Sequence, residues 1–228
     1  MTLFTLLLLA AFVGLGRWQW QRGADKQQLW EQFKLAPAPA LTSRPPDFDS
    51  AQRFSRVAFP ARYEGAHQFL LDNRSHDGQP GYEVLTPAVL EDGRRILVNR
   101  GWVPFSGYRD RLPDISLQGT DQISLRGRLD ELPSPGLASG RAPPATDTRW
   151  PKVTSFPTHD ELQRALGRKI ARRILLLDTD VECSGNFVRQ WTPPGLAPDR
   201  HFSYAIQWWG FAVVLLVLYF GLNFRKVS

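Results

Sequence analysis

The sequence predicts a membrane protein in which two transmembrane helices flank a β-rich extra-cytoplasmic domain, a small barrel or sandwich of the α+β kind. Three observations predict it. The chain ends in a run from Phe202 to Phe224 that contains no charged residue. It opens on a second apolar stretch, Leu3 to Leu15. Between the two, short segments of alternating apolar and polar residues are punctuated by Gly, Pro and Asp, the pattern of strands and turns.

The C-terminal run is 23 residues long. At about 1.5 Å per residue a helix of that length reaches roughly 34 Å, enough for a hydrocarbon core of about 30 Å. In lipid the backbone must satisfy its own hydrogen bonds, which makes the run a helix. Arg225 and Lys226 follow it, and Trp208 and Trp209 stand toward its other end as a partial aromatic belt. The N-terminal stretch lacks the basic flank and the Ala-x-Ala site of a cleaved export signal. Trp18 and Trp20 follow it as interface residues would, so it reads as a retained span over residues 1–20, continuing as a helix to about Leu35. The missing basic flank leads us to expect a true start upstream of Met1. The middle domain covers 36–200, the second span 202–224 and a short tail 225–228. Basic residues after the first span (Arg17, Arg22, Lys26) make the positive-inside count ambiguous, but long domains cross regardless of charge. Both tails are therefore placed in the cytoplasm and the middle domain outside it.

Taken in order, Arg22, Lys26, Leu29, Trp30 and Phe33 fall at helical spacings, and Pro37 and Pro39 end that helix. Residues 36–50 hold four prolines and read as a loop. Val57, Phe59, Ala61 and Tyr63 alternate with more polar neighbours, a strand that Pro60 confines to an edge or a bulge. Phe69 to Asp72 is a second short run, and Asn73 to Gly81 has turn composition. Tyr82–Leu90 and Arg94–Val103 form a hairpin across Glu91-Asp92-Gly93. Ile123, Leu125, Gly127 and Leu129 give the clearest alternation in the chain. Residues 133–149 are a loop. Thr158 and Glu161 spell a capping box for one short helix that Gly167 closes. Arg172–Thr179 and Phe187–Trp191 read as two further strands.

The formal charge of +6 fits basic flanks near anionic lipid better than nucleic acid, for which no binding motif is present. Cys183 is the one cysteine. It excludes an internal disulfide, a Cys-x-x-Cys-His haem attachment and a paired-cysteine copper site. The four histidines, His67, His76, His159 and His201, share no metal-ligand spacing, and no phosphate loop or nucleophile elbow occurs. The chain is expected not to be an enzyme, an envelope hydrolase being the rival. Arg74, Asn99 and Arg100 lie among apolar neighbours. Asn99 reads as structural, and the two arginines stay open. Ala10-x-x-x-Gly14 is a weak helix-packing pattern.

His201 stands one residue outside the uncharged run. On a helix it shares a face with Tyr204, Ala205 and Trp208. A neutral imidazole is a good iron ligand, and aromatic rings can pack on a flat macrocycle. Arg200 could pair with a propionate. The plainer alternative is that His, Tyr and Trp here are interfacial anchors.

Five blocks then carry a family resemblance: Leu15-Gly16-Arg17-Trp18-Gln19 with Arg22 and Lys26; Leu71-Asp72-Asn73-Arg74; Gly81-Tyr82-Glu83-Val84-Leu85-Thr86-Pro87; Leu97-Val98-Asn99-Arg100-Gly101-Trp102-Val103-Pro104; and Arg200-His201-Phe202-Ser203-Tyr204-Ala205-Ile206-Gln207-Trp208. Together they resemble the Surfeit locus protein 1 family, assembly factors of cytochrome c oxidase. The resemblance implies two spans around an extra-cytoplasmic domain, and a role where haem a enters subunit I of the haem-copper oxidase. It also implies haem a as a transient ligand, with His201 at the position of the proposed iron ligand. The short N-terminus departs from the family's usual basic start. We therefore expect an assembly factor that binds haem a through His201, with Tyr204, Trp208 and Arg200 around it. Its partners would be cytochrome c oxidase subunit I, haem a synthase and membrane lipid, but not nucleic acid. The alternative is a haem-independent scaffold for an oxidase intermediate.

Overall fold

The computed structural model describes residues 2–35, 45–117, 122–134, 140–181 and 187–224. The expectations for Pro37, Pro39, Cys183, Arg225 and Lys226 lie outside the described residues. The chain forms two compact units, one of residues 1–35 with 192–228 and one of residues 36–191.

The first unit is a helix pair. α1 runs Thr2–Leu35 and α3 runs Pro198–Phe224, and both are long and apolar enough to cross a membrane. In their most apolar windows only 6% and 11% of residues are buried, so neither is the covered core helix of a soluble protein. Leu3, Phe4, Leu7, Val213, Val217 and Leu222 all lie exposed. Bare apolar surface on that scale suggests membrane anchoring. α1 continues unbroken to Leu35, as the helical spacing of Arg22 to Phe33 predicts.

The second unit is a mixed seven-stranded sheet with one helix. The strands are β1 (Arg56–Tyr63), β2 (Phe69–His76), β3 (Gln79–Val89), β4 (Arg95–Pro104), β5 (Ile123–Asp130), β6 (Lys152–Thr154) and β7 (Ile174–Leu177). Their order is β1-β5-β7-β4-β3-β2-β6. β2–β6 and β4–β7 are parallel, and the other pairings are antiparallel. Arg62 and Tyr63 of β1 also pair with Val89 and Ala88 of β3, which brings the ladder back to its first strand. β4 is flanked by β3 and β7 and is buried from Ile96 to Val103, as an inner strand is, with Asn99 and Arg100 as its polar interruptions. α2 (His159–Leu166) is closed at its start by the Thr158–Glu161 capping box and at its end by Gly167 at φ 67°. It drops Leu162 into a cluster with Phe69, Leu71, Leu85, Leu97 and Ile174.

Four sequence expectations need correction. The turn expected over Asn73–Gly81 is mostly strand: β2 continues to His76, and only Asp77 and Gly78 turn the chain, at φ 48° and 78°. Two successive positive φ values make the tight two-residue hairpin that suits strand twist. Asn73, at φ 59°, is spent on the register shift between Leu71 and Arg74. The strand expected over Phe187–Trp191 shrinks to a single bridge, Trp102 with Val188, because β7 already occupies that edge of β4 from Leu97 to Asn99. β6 falls where no strand is expected. Buried Lys152 tethers it, donating to the carbonyls of Ala145 at 2.7 Å and Asp147 at 2.5 Å. Finally, Ala58 is buried along with Val57 and Phe59, so the polar face expected for β1 is covered there.

Arg100, whose role its sequence neighbours leave open, is structural. Its guanidinium is fully buried and donates to Gln68 Oε1 at 2.7 Å and to the Ile115 carbonyl at 2.8 Å. Gln68 Oε1 also accepts from Thr86 Oγ1 at 2.7 Å. Burial pulls the Arg100 pKa down to about 10, so the group stays charged at neutral pH and must keep its acceptors. Asn99 is structural as expected: its Nδ2 donates to Glu83 Oε2 at 2.6 Å, and its Oδ1 accepts from the Gly101 N–H at 3.2 Å. Arg74 lies over the Phe156 ring at 5.3 Å, with its Nε 3.6 Å from Glu83 Oε1.

Two outcomes follow for this unit. Thr158→Ala removes the α2 cap and should lower stability by about 1 kcal/mol in urea unfolding. Glu161 is held below the ordinary carboxylate range by the Thr158 N–H and, against some desolvation, by Arg141. A depressed folded pKa means a stabilising contribution present above the ordinary value and lost as pH falls through the folded one. The urea midpoint of wild type should therefore drop on acidification more than that of Glu161→Gln. Equal drops would contradict this.

Candidate functional site in the helix pair

The lesser-exposed positions of α1 include Phe12, Gly16, Gln19, Gly23, Lys26, Trp30 and Phe33, at spacings that alternate 4, 3, 4, 3, 4, 3. On α3, Phe202, Ala205, Trp209, Ala212, Leu216 and Tyr219 alternate 3, 4, 3, 4, 3. A mean of about 3.5 keeps one seam of each helix turned to its partner, as in a coiled coil. The contacts fix an antiparallel arrangement: Thr2 Oγ1 with Tyr219 OH at 3.1 Å, Phe12 stacked on Trp208 at 5.8 Å, and Trp20 against Phe202 at 4.8 Å.

Two glycines let the helices close. A Cβ on Gly16 would sit 2.3 Å from Trp209 Nε1, and one on Gly23 would sit 2.7 Å from Phe202 Cε1. One heptad separates the glycines, and one heptad separates the rings that fill them. This corrects the Ala10-x-x-x-Gly14 expectation, since Gly14 has nothing within 4 Å of such an atom. Small residues do make the helix contact, but Gly16 and Gly23 supply them.

His201 is the fourth residue of α3 and is half-buried. Its Nδ1 lies 2.9 Å from Gln19 Oε1, across the seam. Gln19 stands on α1 between Gly16 and Gly23. Ala205, fully buried one turn beyond His201, offers only a methyl to α1. Trp208 is half-buried and stacks on Phe12 at an interplanar angle of 29°, with Phe211 edge-on at 5.8 Å. Tyr204 is 46% exposed, and Arg200 is exposed as well. The four residues expected on one helix face therefore divide. His201 turns to the seam beside Ala205, Trp208 packs at its margin, and Tyr204 looks outward; Arg200, not one of the four, is exposed beside them.

Among the described residues no group of three His, Cys, Asp or Glu side chains is placed to hold a metal ion. The donor set fits a macrocycle-borne iron instead. It offers one half-buried imidazole with a single nitrogen engaged, aromatic rings nearby, and an exposed guanidinium next in sequence for an acidic substituent. Sequence reasoning misses Gln19, Gly16, Gly23 and Trp209 as parts of this site. The signal was the 3-4 spacing of α1 through Gln19, hidden because the seam there is made of two glycines and an amide.

An apolar helix pair with a seam histidine, joined in sequence to a mixed-sheet domain, defines a class of anchored β-domain proteins. The particular assignment comes from comparison: the chain belongs to the SURF1 family, whose profile matches residues 6–213. It is 28% identical over 211 residues to an uncharacterized SURF1-like protein of Mycobacterium tuberculosis, an alignment covering 89% of this chain and 74% of the relative. It is 25% identical over 247 residues to Surfeit locus protein 1 of Takifugu rubripes, covering 99% and 98%. A SURF1-like protein of Dictyostelium discoideum is 35% identical over 121 residues, covering 47% and 44%. Membership implies a role in cytochrome oxidase assembly.

Gly16→Leu should force Trp209 out of its socket and cost about 1–3 kcal/mol of helix-pair stability, read from the SDS concentration that unfolds the full-length protein. Gly14→Leu, facing open space, should leave that concentration unchanged. Equal effects would contradict the seam.

Proposed function

We propose that this chain is a non-enzymatic assembly factor of haem-copper cytochrome c oxidase, one that holds haem a at the membrane surface and aids its insertion into subunit I. The observation that carries the reading is His201 itself. It is a half-buried imidazole on α3 at the point where a charged turn (Asp199, Arg200) gives way to an apolar rod. In this reading α1 and α3 span a bacterial inner membrane, both tails are cytoplasmic and the sheet domain is periplasmic. His201 would hold the iron, Arg200 a propionate, and Tyr204 and Trp208 the edge of the ring. Haem a supplies the iron centre that the oxidase uses, and this chain supplies a place where an insoluble ring is kept from water and can still be released. A single histidine would suit that task, because a buried two-ligand cage would hold too tightly. Partners are subunit I, haem a synthase and lipid.

A second reading has its own support. The Gln19–His201 contact gives His201 a part in joining α3 to α1, which favours a haem-independent scaffold for an oxidase intermediate.

Full-length protein purified from cells that make haem a separates the two. The haem reading predicts a haem spectrum in wild type and its loss in His201→Ala. A colourless wild-type preparation would favour the scaffold, and a spectrum surviving in His201→Ala would remove His201 from the account.

A further inference from the structure

The pair across the seam has a direction. An amide oxygen carries no proton and can only accept. Gln19 Oε1, 2.9 Å from His201 Nδ1, therefore requires the proton on Nδ1. A neutral imidazole carries one N–H, so Nε2 is left with its lone pair. We infer that Gln19 is a positioning residue that fixes His201 in the Nδ1–H tautomer and presents Nε2 as the donor atom. As an account of iron binding this rests on the haem reading above, whereas the tautomer itself does not.

The fold is built to hold this amide in place. Gln19 lies between Gly16 and Gly23, where the rings of Trp209 and Phe202 seat without an intervening Cβ. α1 and α3 approach closely on both sides of it, and buried Ala205, one turn along α3 from His201, adds only a methyl to the seam. The choice of an amide has a chemical consequence. Outer partners of a ligating histidine are commonly carboxylates, which raise ligand basicity, or neutral carbonyls and water. A carboxylate here would also put a charge on an apolar seam. The neutral oxygen of Gln19 orients the ring while adding less basicity, a balance that suits a ligand meant to let go.

The test uses full-length protein in lipid nanodiscs, labelled with ¹⁵N-histidine, with His201→Ala assigning the resonance. In wild type, neutral His201 should show Nδ1 protonated and Nε2 bare. Gln19→Leu should move the proton toward Nε2, and Gln19→Glu should keep it on Nδ1. Titrated with haem, Gln19→Leu should bind about tenfold more weakly than wild type, while Gln19→Glu should bind at least as tightly and release more slowly. A wild-type ring carrying its proton on Nε2, or a Gln19→Leu protein with unchanged tautomer and unchanged affinity, overturns the inference. A wild-type ring protonated on Nδ1 in a protein that takes up no haem upholds the Gln19 assignment and ends the haem reading instead.

Discussion

The helix unit depends on one steric fact: α1 has no side chain where Phe202 and Trp209 of α3 need to be. Gly16 and Gly23 are one heptad apart and receive two rings one heptad apart. Between two apolar helices in lipid there would be little hydrophobic gain, so close packing and interhelical hydrogen bonds must hold the pair. Close approach is also what makes a polar pair between α1 and α3 feasible. Gln19 and His201 come within 2.9 Å because the backbones on either side have already been brought together. The candidate site is thus a product of the packing, and a side chain added at either glycine would reach it indirectly.

The sheet domain is held by other means. β4 runs through its centre and leaves Arg100 fully buried at the point where the strand passes Gln68 and the Ile115 carbonyl. Arg189 adds a second buried cation, donating from Nε to the Arg100 carbonyl at 2.8 Å and from Nη1 to the Val181 carbonyl at 3.1 Å. Burial lowers the pKa of both groups. Carbonyl and amide oxygens accept from these donors, which offsets the cost of burying them. The four residues of the Asn99–Trp102 stretch accordingly serve the sheet. Asn99 clamps Glu83 and the Gly101 N–H, Arg100 anchors the 115–116 loop, Gly101 at φ 126° admits Val188, and Trp102 pairs with it.

Much of this was legible in the sequence. The two apolar runs, the Asp92–Gly93 hairpin, the alternation in β5 and the Thr158–Glu161 cap all act locally, and each appears where its residues place it. What was not legible depends on partners distant in the chain. Asn73 carries a turn signal yet serves a strand irregularity, because β2 continues to pair with β3 past it. Phe187–Trp191 carries a strand signal yet finds its edge of β4 already taken. Gln19 reads as an ordinary polar residue after an apolar run until α3, 182 positions away, sets His201 against it. His201 was visible because a histidine at the end of an uncharged run is conspicuous, whereas its orienting partner was not.

The central claim is that this chain delivers haem a to an oxidase through His201. The most direct measurement is the haem a content of oxidase subunit I isolated from a strain whose chromosomal copy carries His201→Ala, beside a deletion strain and the parent. The account predicts subunit I short of haem a in both altered strains, with the variant protein itself present at normal level. Subunit I with its full haem complement and normal turnover in the His201→Ala strain would contradict it.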